Sequence, residues 1–193
     1  MKRNILFVII LVSVGVFVYS CKKTNNSNEE PATVIELIHN SSFEMNGNPS
    51  RQGWLVDDTS LCQLINDAPP GGGNWSMKIY AEWTFLHSAR TTVAPSEGTH
   101  QFEFSVYGKM VKFHGTAILF VKHADTLILR KFVTITDTTW TRYSFTDTIS
   151  ITSPDSLVVV LQGGSTNLVV GYTCFDLCSL KQKNLQVSHL AGK

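Results

Sequence analysis

One acidic residue interrupts an apolar run near the end of the chain. The segment "GYTCFDLCSL", residues 171–180, has the composition of a β-strand except for Asp176. A strand in a folded domain buries every second side chain, and an unpaired carboxylate on the buried face is costly or takes up a proton. The sequence therefore predicts that some partner neutralises Asp176.

The other reactive residue types do not form a catalytic set. The sequence contains no Gly-x-Ser-x-Gly elbow, no His-Glu-x-x-His helix and no phosphate-binding glycine loop. Its six histidines are scattered without metal-ligand spacing, and neighbouring Asp57 and Asp58 would point to opposite faces of an extended chain. Glu82 and Glu103 are the remaining candidates for a glycosidase pair, which must face each other across a cleft. We predict that the protein is not an enzyme.

The N-terminus has the pattern of an export signal. Two positive charges precede an apolar stretch from Ile5 to Tyr19, which suits a signal peptide and is short for a membrane span. The segment "VYSC" resembles the lipobox of bacterial lipoproteins, which implies that residues 1–20 are removed and Cys21 is lipidated. Lys22 and Lys23 favour an outer-membrane destination. The alternatives are a plain secretory signal or a single anchor helix.

Charge and composition limit the remaining possibilities. The polar residues 21–32 are predicted to form a flexible tether. Loss of Lys2 and Arg3 with the signal peptide changes the net charge from +1 to about −1, which gives no electrostatic basis for binding nucleic acid. The remaining chain is long enough for one domain, predicted over 33–181, followed by a disordered tail over 182–193.

Period-two alternation and β-branched residues predict an all-β domain, and the number and spacing of the strands favour a sandwich or jelly roll of two antiparallel sheets. Three cysteines remain after lipidation, and we expect Cys62 to form a disulfide with Cys174 or Cys178, with three reduced thiols as the alternative. The predicted strands are Thr33–Ile38, Leu61–Asn66, Ser76–Trp83, His87–Val93, His100–Val111, Thr116–Lys122, Thr126–Thr136, Trp140–Ile151, Ser156–Gln162 and Leu168–Leu180.

The clearest alternation lies in "THQFEFSVYGKM". It places Phe102, Phe104 and Val106 on a core face, and an acid, a hydroxyl, an aromatic ring and an amine on the opposite face. Those are the groups with which a protein stacks on and hydrogen-bonds to a sugar ring. The alternative is an ordinary solvated surface.

Five segments, in this order, resemble carbohydrate-binding modules of the galactose-binding-like jelly-roll type. "NSSFEMNGNPSRQGW" is similar to the opening strand and loop of those modules, and "GGGNWSMKIY" to their glycine-rich turn and following strand. "GTHQFEFSVYGK" resembles a middle strand, "TTWTRYSF" a late strand and "CFDLCSL" the closing strand. The resemblance spans residues 40–180 and implies the same jelly-roll fold.

The resemblance also implies a structural calcium ion between the first and last strands. Its ligands would be Glu44 and Asp176, with backbone carbonyls near Ser42 and Gly73. Calcium accepts six to eight oxygen ligands and would neutralise both carboxylates. Leu177 stands where such modules often have a second acid. Without a metal, Asp176 would pair with a lysine such as Lys78 or accept backbone N–H groups.

A glycan site on the concave sheet is the second implication. The strand of "EFSVYGK" would contribute Glu103, Tyr107 and Lys109 to this site. Strand parity adds Arg142, which lies between Trp140 and Tyr143, both expected to point inward. Gln162 and Trp83 are weaker candidates. Trp54 and Trp75 are assigned to the core. The predicted glycan-binding residues are Trp83, Glu103, Tyr107, Lys109, Arg142 and Gln162.

Together these patterns predict an outer-membrane lipoprotein that binds a polysaccharide or oligosaccharide without catalysis. The alternative is an envelope module that docks another protein, which an exposed apolar patch would favour over a polar groove. A glycoside hydrolase is the third and weakest hypothesis.

Overall fold

The computed structural model describes residues 33–82, 85–164 and 170–184, and they form an all-β jelly-roll sandwich. No helix in these ranges is long and apolar enough to cross a membrane. The predicted signal peptide, Cys21 and the tether lie outside the described residues. The strands are β1 (Val34–Glu36), β2 (Glu44–Met45), β3 (Asn48–Pro49), β4 (Leu55–Val56), β5 (Cys62–Ile65), β6 (Ser76–Glu82), β7 (Phe85–Leu86), β8 (Ser88–Val93), β9 (Gly98–Lys112), β10 (Gly115–His123), β11 (Thr126–Ile135), β12 (Thr141–Ile151), β13 (Ser156–Gln162) and β14 (Gly171–Asn184).

Two antiparallel sheets make up the sandwich. The seven-stranded sheet has the order β12-β9-β14-β6-β5, with β1 also paired to β14 and β7 to β6. The five-stranded sheet has the order β11-β10-β13-β8-β4. Consequently β14, the last described strand, lies in the middle of the larger sheet between β9 and β6.

Alternating side chains from both sheets fill the space between them. Phe102, Phe104 and Val106 of β9 are fully buried, as the alternation predicts, and they meet Leu119 of β10 and Leu161 of β13 in one core. Burial of these large side chains is the main favourable contribution to folding.

All ten predicted strands have observed counterparts, and four two-residue strands are added. Among the additions, β2 and β3 form a hairpin whose turn contains Asn46 and Gly47, both with positive φ (54° and 76°). Asn-Gly suits such a turn because both residues tolerate the left-handed region. The last strand reaches Asn184, past the predicted domain end at residue 181, since Gln182 is buried and pairs with Phe102.

The expected disulfide is wrong, because Cys62, Cys174 and Cys178 are all free and buried. In the sheet register Cys62 aligns with Ile79 and Thr173, whereas Cys174 aligns with Lys78 and lies on the opposite face. This excludes Cys174 as the partner of Cys62, because thiols on opposite faces of one sheet cannot bridge without moving the backbone. Cys178 belongs to the same core cluster as Cys62, yet both thiols are free.

Candidate functional site

Asp176 occupies an irregular point of the central strand. The pairing of β14 with β9 changes register between Asp176 and Ser179, and Leu177 in this β-bulge has a φ of 45°. The side chain of Asp176 is fully buried. Its Oδ1 accepts a hydrogen bond from the Leu177 N–H at 2.7 Å, and its Oδ2 has no hydrogen-bond partner among the residues that the structure describes.

Glu44 begins the short strand β2 and follows another residue with unusual backbone geometry. Phe43 is fully buried and has a φ of 55°. The Oε1 atom of Glu44 accepts hydrogen bonds from the backbone N–H groups of Asn74 and Trp75, the latter at 2.5 Å. Bulky residues rarely adopt positive φ, and such strain concentrates at sites with a specific role.

The two carboxylates meet at one glycine-rich turn. A Cβ atom on Gly72 would collide with Oδ2 of Asp176, and a Cβ atom on Gly73 would collide with the carboxylate of Glu44. Gly73 also has a φ of 82°, which favours glycine. The turn therefore allows its backbone to approach both acids, and we call Glu44 and Asp176 the carboxylate pair.

The electrostatics of this pair are unfavourable in the absence of a cation. Burial raises the pKa of Asp176 to about 8, the Leu177 N–H opposes this increase, and the nearby charge of Glu44 adds to it. Lys78 does not neutralise Asp176, because its Nζ lies over the rings of Tyr80 and Tyr172, 4.6 and 3.9 Å from their centroids. The sequence predicts a lysine or backbone N–H groups as the partners of Asp176 when no metal is bound. Of these, the described structure shows the backbone N–H of Leu177.

The donor set suits a hard cation. Two carboxylates lie beside a turn whose backbone approaches them closely, and one buried oxygen of Asp176 is unpartnered. The first and last segments are joined there, since the Cys178 N–H donates to the Ser41 carbonyl at 2.8 Å. In the described residues no group of three or more His, Cys, Asp or Glu side chains is placed to hold a metal ion, so most ligands here would be backbone carbonyls or water. Calcium accepts such ligands readily.

Four predicted glycan-site residues share the outer face of the seven-stranded sheet. Arg142 of β12 aligns with Tyr107 of β9, and Glu103 and Lys109 follow the same parity. Glu103 pairs with Lys183 at 2.6 Å and with Arg142 at 3.7 Å. The hydrogen bond and charge of Lys183, with weaker contributions from Lys181 and Arg142, hold the pKa of Glu103 below its ordinary value. We call this group the Glu103 face.

A tryptophan and an aspartate extend this face beyond the predicted set. Lys109 forms an ion pair with Asp67, and the Trp140 indole N–H donates to the same carboxylate at 3.1 Å. Burial alone would raise the pKa of Asp67, but the hydrogen bonds from Lys109 and Trp140 outweigh it and lower that pKa. The Nζ atom of Lys109 lies 5.1 Å from the Trp140 ring centroid.

The inward assignment of Trp140 is therefore wrong, whereas that of Tyr143 is confirmed, because Tyr143 packs against the core. Residues 140 and 143 have opposite parity, a signal present in the sequence. Asp67 lies in the loop before the glycine-rich turn. Its contact with Lys109 could not be predicted from the neighbouring sequence, because only the folded chain brings this loop next to Lys109.

The remaining candidates do not join this face. Gln162 ends β13 in the five-stranded sheet, where it aligns with Thr116 and Ser88. Trp83 lies outside the described residues. Trp54 is buried in the core as expected, and Trp75 is half-buried.

The other sheet has a different outer surface. Four large apolar side chains, each about half exposed, lie on its strands β4 and β11: Leu55 (59%), Leu127 (48%), Leu129 (53%) and Phe132 (56%). The register connects Leu129 and Phe132 through half-buried Phe120, Ile118 and Val160 and through buried Val158. Exposed Arg90 aligns with Leu55 and exposed Lys122 with Leu127, so two cations border the apolar side chains. We call this surface the apolar face.

Comparison with known proteins identifies the fold. No protein-family model matches the sequence, and no curated protein matches it. Among solved structures, a Family 16 carbohydrate-binding module superposes with a TM-score of 0.52 and 19% identity, over 70% of this chain and 96% of that one. The CBM22-1 xylan-binding domain from Paenibacillus barcinonensis Xyn10C gives a TM-score of 0.53 and 13% identity, over 79% of this chain and 97% of that one.

An arabinose-bound MgGH51 α-L-arabinofuranosidase also matches, with a TM-score of 0.55 and 15% identity. The match covers 76% of this chain and 26% of the enzyme. At these identities the shared property is the fold. The chain thus has the jelly-roll fold of structural neighbours that are themselves carbohydrate-binding modules.

Proposed function

We propose that this protein is a non-catalytic carbohydrate-binding module that binds an oligosaccharide or polysaccharide on the Glu103 face. The observation that carries the proposal is the arrangement of Tyr107 and Trp140 beside Lys109, Arg142 and Glu103 on a fold found in carbohydrate-binding modules. Aromatic rings stack on sugar faces, while charged groups hydrogen-bond to the hydroxyls.

We further propose that calcium bound by Glu44 and Asp176 stabilises the domain. The unpartnered Oδ2 of Asp176 and the close approach of Gly72 and Gly73 support this assignment. When bound, the ion would supply positive charge where two carboxylates meet. The protein's own contribution is to orient Glu44 through the N–H groups of Asn74 and Trp75, and Asp176 through that of Leu177.

The sequence supports a lipid anchor at Cys21 and an outer-membrane location, with residues 21–32 as the tether. In this arrangement the module would hold glycan close to the membrane. Replacement of Cys21 with Ser should release the protein from the membrane fraction and abolish its labelling by palmitate. Unchanged labelling would contradict the lipid anchor.

The test of carbohydrate binding is a glycan array with folded protein lacking residues 1–20, with calcium and with chelator. We expect binding that Tyr107→Ala and Arg142→Ala reduce by about tenfold, the magnitude of losing one good polar or stacking contact. Gln162→Ala is the matched control because Gln162 lies in the other sheet. Absence of glycan binding under both conditions would exclude this function.

A second function, docking of an envelope protein, is favoured by the apolar face. Exposed large apolar side chains grouped on one sheet mark interaction surfaces in soluble domains. A photo-crosslinking residue at Phe132 should capture a discrete protein partner in cells, whereas the same residue at Thr146, on the other sheet, should not. Equal crosslinking at both positions would exclude a specific docking surface.

A further inference from the structure

The two cations that border the apolar face are exposed and lack ion-pair partners among the described residues. Arg90 of β8 and Lys122 of β10 line one shallow cavity of about 300 Å³, together with Leu55 and Leu127. The acid in its wall is exposed Asp125, and no ion pair joins it to either cation. The cavity is therefore walled by apolar groups and has an excess of positive charge.

This combination of charge and apolar surface limits the occupant of the apolar face. A protein that covered the face would remove water from Arg90 and Lys122, which is costly unless the partner supplies acids at both places. At the surface of a bilayer, apolar side chains enter the acyl boundary while Lys and Arg keep their charged ends among hydrated headgroups. Phosphates of anionic lipids attract such cations, so the charges of the face and of the bilayer are complementary.

The part of the chain that precedes the described residues also favours a bilayer. The predicted tether, residues 21–32, reaches at most about 40 Å when fully extended, which is about the diameter of one domain. It leads into β1, where Ile35 lines a cavity together with Thr92 of β8. Thr92 also lines the cavity of the apolar face, so the chain enters the domain beside this face. Tethering raises the effective concentration of lipid, so a weak surface affinity is sufficient.

We infer that the apolar face lies against the surface of a bilayer that contains anionic phospholipid. Leu129 and Phe132 enter the acyl boundary, and Arg90 and Lys122 contact the headgroup phosphates. The inference rests on the proposed lipid anchor, which brings the domain to the membrane. In this orientation the seven-stranded sheet is turned away from the bilayer, and the Glu103 face stays accessible to glycan.

The test measures lipid binding without the anchor. The chain lacking residues 1–20 and carrying Cys21→Ser is sedimented with vesicles made of equal parts phosphatidylglycerol and phosphatidylcholine. We expect saturable binding that weakens in high salt and with vesicles of phosphatidylcholine alone, because both conditions reduce the attraction of the cations. Absence of binding to both kinds of vesicle would overturn the inference. Palmitate labelling tests the anchor itself, so the two failures are distinguishable.

Variants locate the binding on the apolar face. Leu129→Ser combined with Phe132→Ser should weaken vesicle binding by at least about tenfold, because both side chains lose their apolar contact with lipid. Arg90→Gln and Lys122→Gln should each weaken binding to the anionic vesicles by about fivefold. Phe85→Ser is the matched control, since Phe85 is 70% exposed on the seven-stranded sheet. An equal loss in the control and in the face variants would contradict the assignment.

The other possible occupants are recognised by separate results. Dimers that Phe132→Ser abolishes, seen by sedimentation velocity without vesicles, would assign the face to a second copy of this chain. A discrete protein crosslinked at Phe132 in cells, with no vesicle binding, would assign it to the protein-docking function. Either result would overturn the membrane assignment. Circular dichroism confirms that each variant is folded, and the two cation variants provide the test if the apolar variant does not fold.

Discussion

Asp176 and Glu103 lie on neighbouring strands of one sheet, yet their surroundings shift their pKa values in opposite directions. Asp176 is fully buried beside another acid, and its pKa rises to about 8. Glu103 is partly exposed beside Lys183 and Arg142, and its pKa falls. Burial without a counter-charge disfavours a carboxylate, whereas nearby cations stabilise it.

The difference identifies the acid whose charge the described side chains do not balance. The charge of Glu103 is balanced by side chains of the chain itself. No side chain in the described part of the chain balances the charge of Asp176, since Lys78 is held over two tyrosine rings and Oδ2 has no hydrogen-bond partner there. A cation should therefore change the behaviour of Asp176 strongly and that of Glu103 hardly at all.

The largest expected effect is a pH dependence of the metal-free protein. The pKa of Asp176 is raised from 3.8 in the unfolded chain to about 8, so the folded state retains a proton that the unfolded state releases. In the presence of chelator, the free energy of unfolding should fall as pH rises from about 4 to about 8 and then level off. The total decrease should be several kcal/mol, since each unit of pKa difference corresponds to about 1.4 kcal/mol. Urea unfolding across this range measures it.

Asp176→Asn is the matched control for this pH dependence, because it keeps the shape of the side chain and removes the titrating group. Its stability should be nearly independent of pH over the same window. Equal slopes for the wild type and the variant would show that Asp176 is not responsible.

The next effect is stabilisation by calcium. An ion that binds only the folded state, present at a hundredfold excess over its Kd, increases the free energy of unfolding by about 2.7 kcal/mol. In a domain of this size that increase raises Tm by several degrees. We expect this increase in the wild type and its loss in both Glu44→Gln and Asp176→Asn. Thermal unfolding with calcium and with chelator measures it, and a Tm indifferent to calcium would remove the proposed metal site.

Two adjacent glycines sharpen the comparison further. Gly72→Ala should cost about 3 kcal/mol, because its Cβ would collide with Asp176 and with the ring of Pro69. Gly71→Ala has open space but a φ of 83°, so it should cost only about 1 kcal/mol. The calcium response should survive Gly71→Ala and not Gly72→Ala. The opposite order would mean that the turn does not support the carboxylate pair.

The smallest effect is expected at the exposed acid. Glu103→Gln removes the charge that pairs with Lys183 and Arg142, and solvent-exposed pairs contribute only about 0–1 kcal/mol. The calcium response should be unchanged. A loss of several kcal/mol in urea unfolding would show that the Glu103 face is structural, which would weaken its assignment as a binding surface.

The strands were predictable because alternation is a local property of the sequence. Phe102, Phe104 and Val106 are buried as their spacing indicates, and the period-two pattern located all ten longer strands. Two-residue strands such as β4 are too short to have a period. Their pairing depends on the neighbouring strand, β8 in this case.

The partners of a side chain were harder to predict than its strand. The period-two pattern shows which residues of a strand share a face, but it does not show which sheet the strand joins. The sequence therefore assigns Gln162 to the predicted glycan site, although its strand lies in the other sheet. The same limit applies to the predicted pairing of Cys62 with Cys174, since only the register shows that these two residues of β5 and β14 lie on opposite faces. Loop contacts such as Asp67 with Lys109 arise only from the tertiary fold.

The central position of β14 has a consequence for the order of folding. The strand pairs with β9, β6 and β1, so the middle of the larger sheet has no occupant until residues 171–184 have been synthesised. Contacts this distant in sequence form slowly, because long loops must close before the contacts stabilise the chain. The larger sheet is therefore expected to stay incomplete, with the facing edges of β9 and β6 open to chaperones, until β14 has left the ribosome.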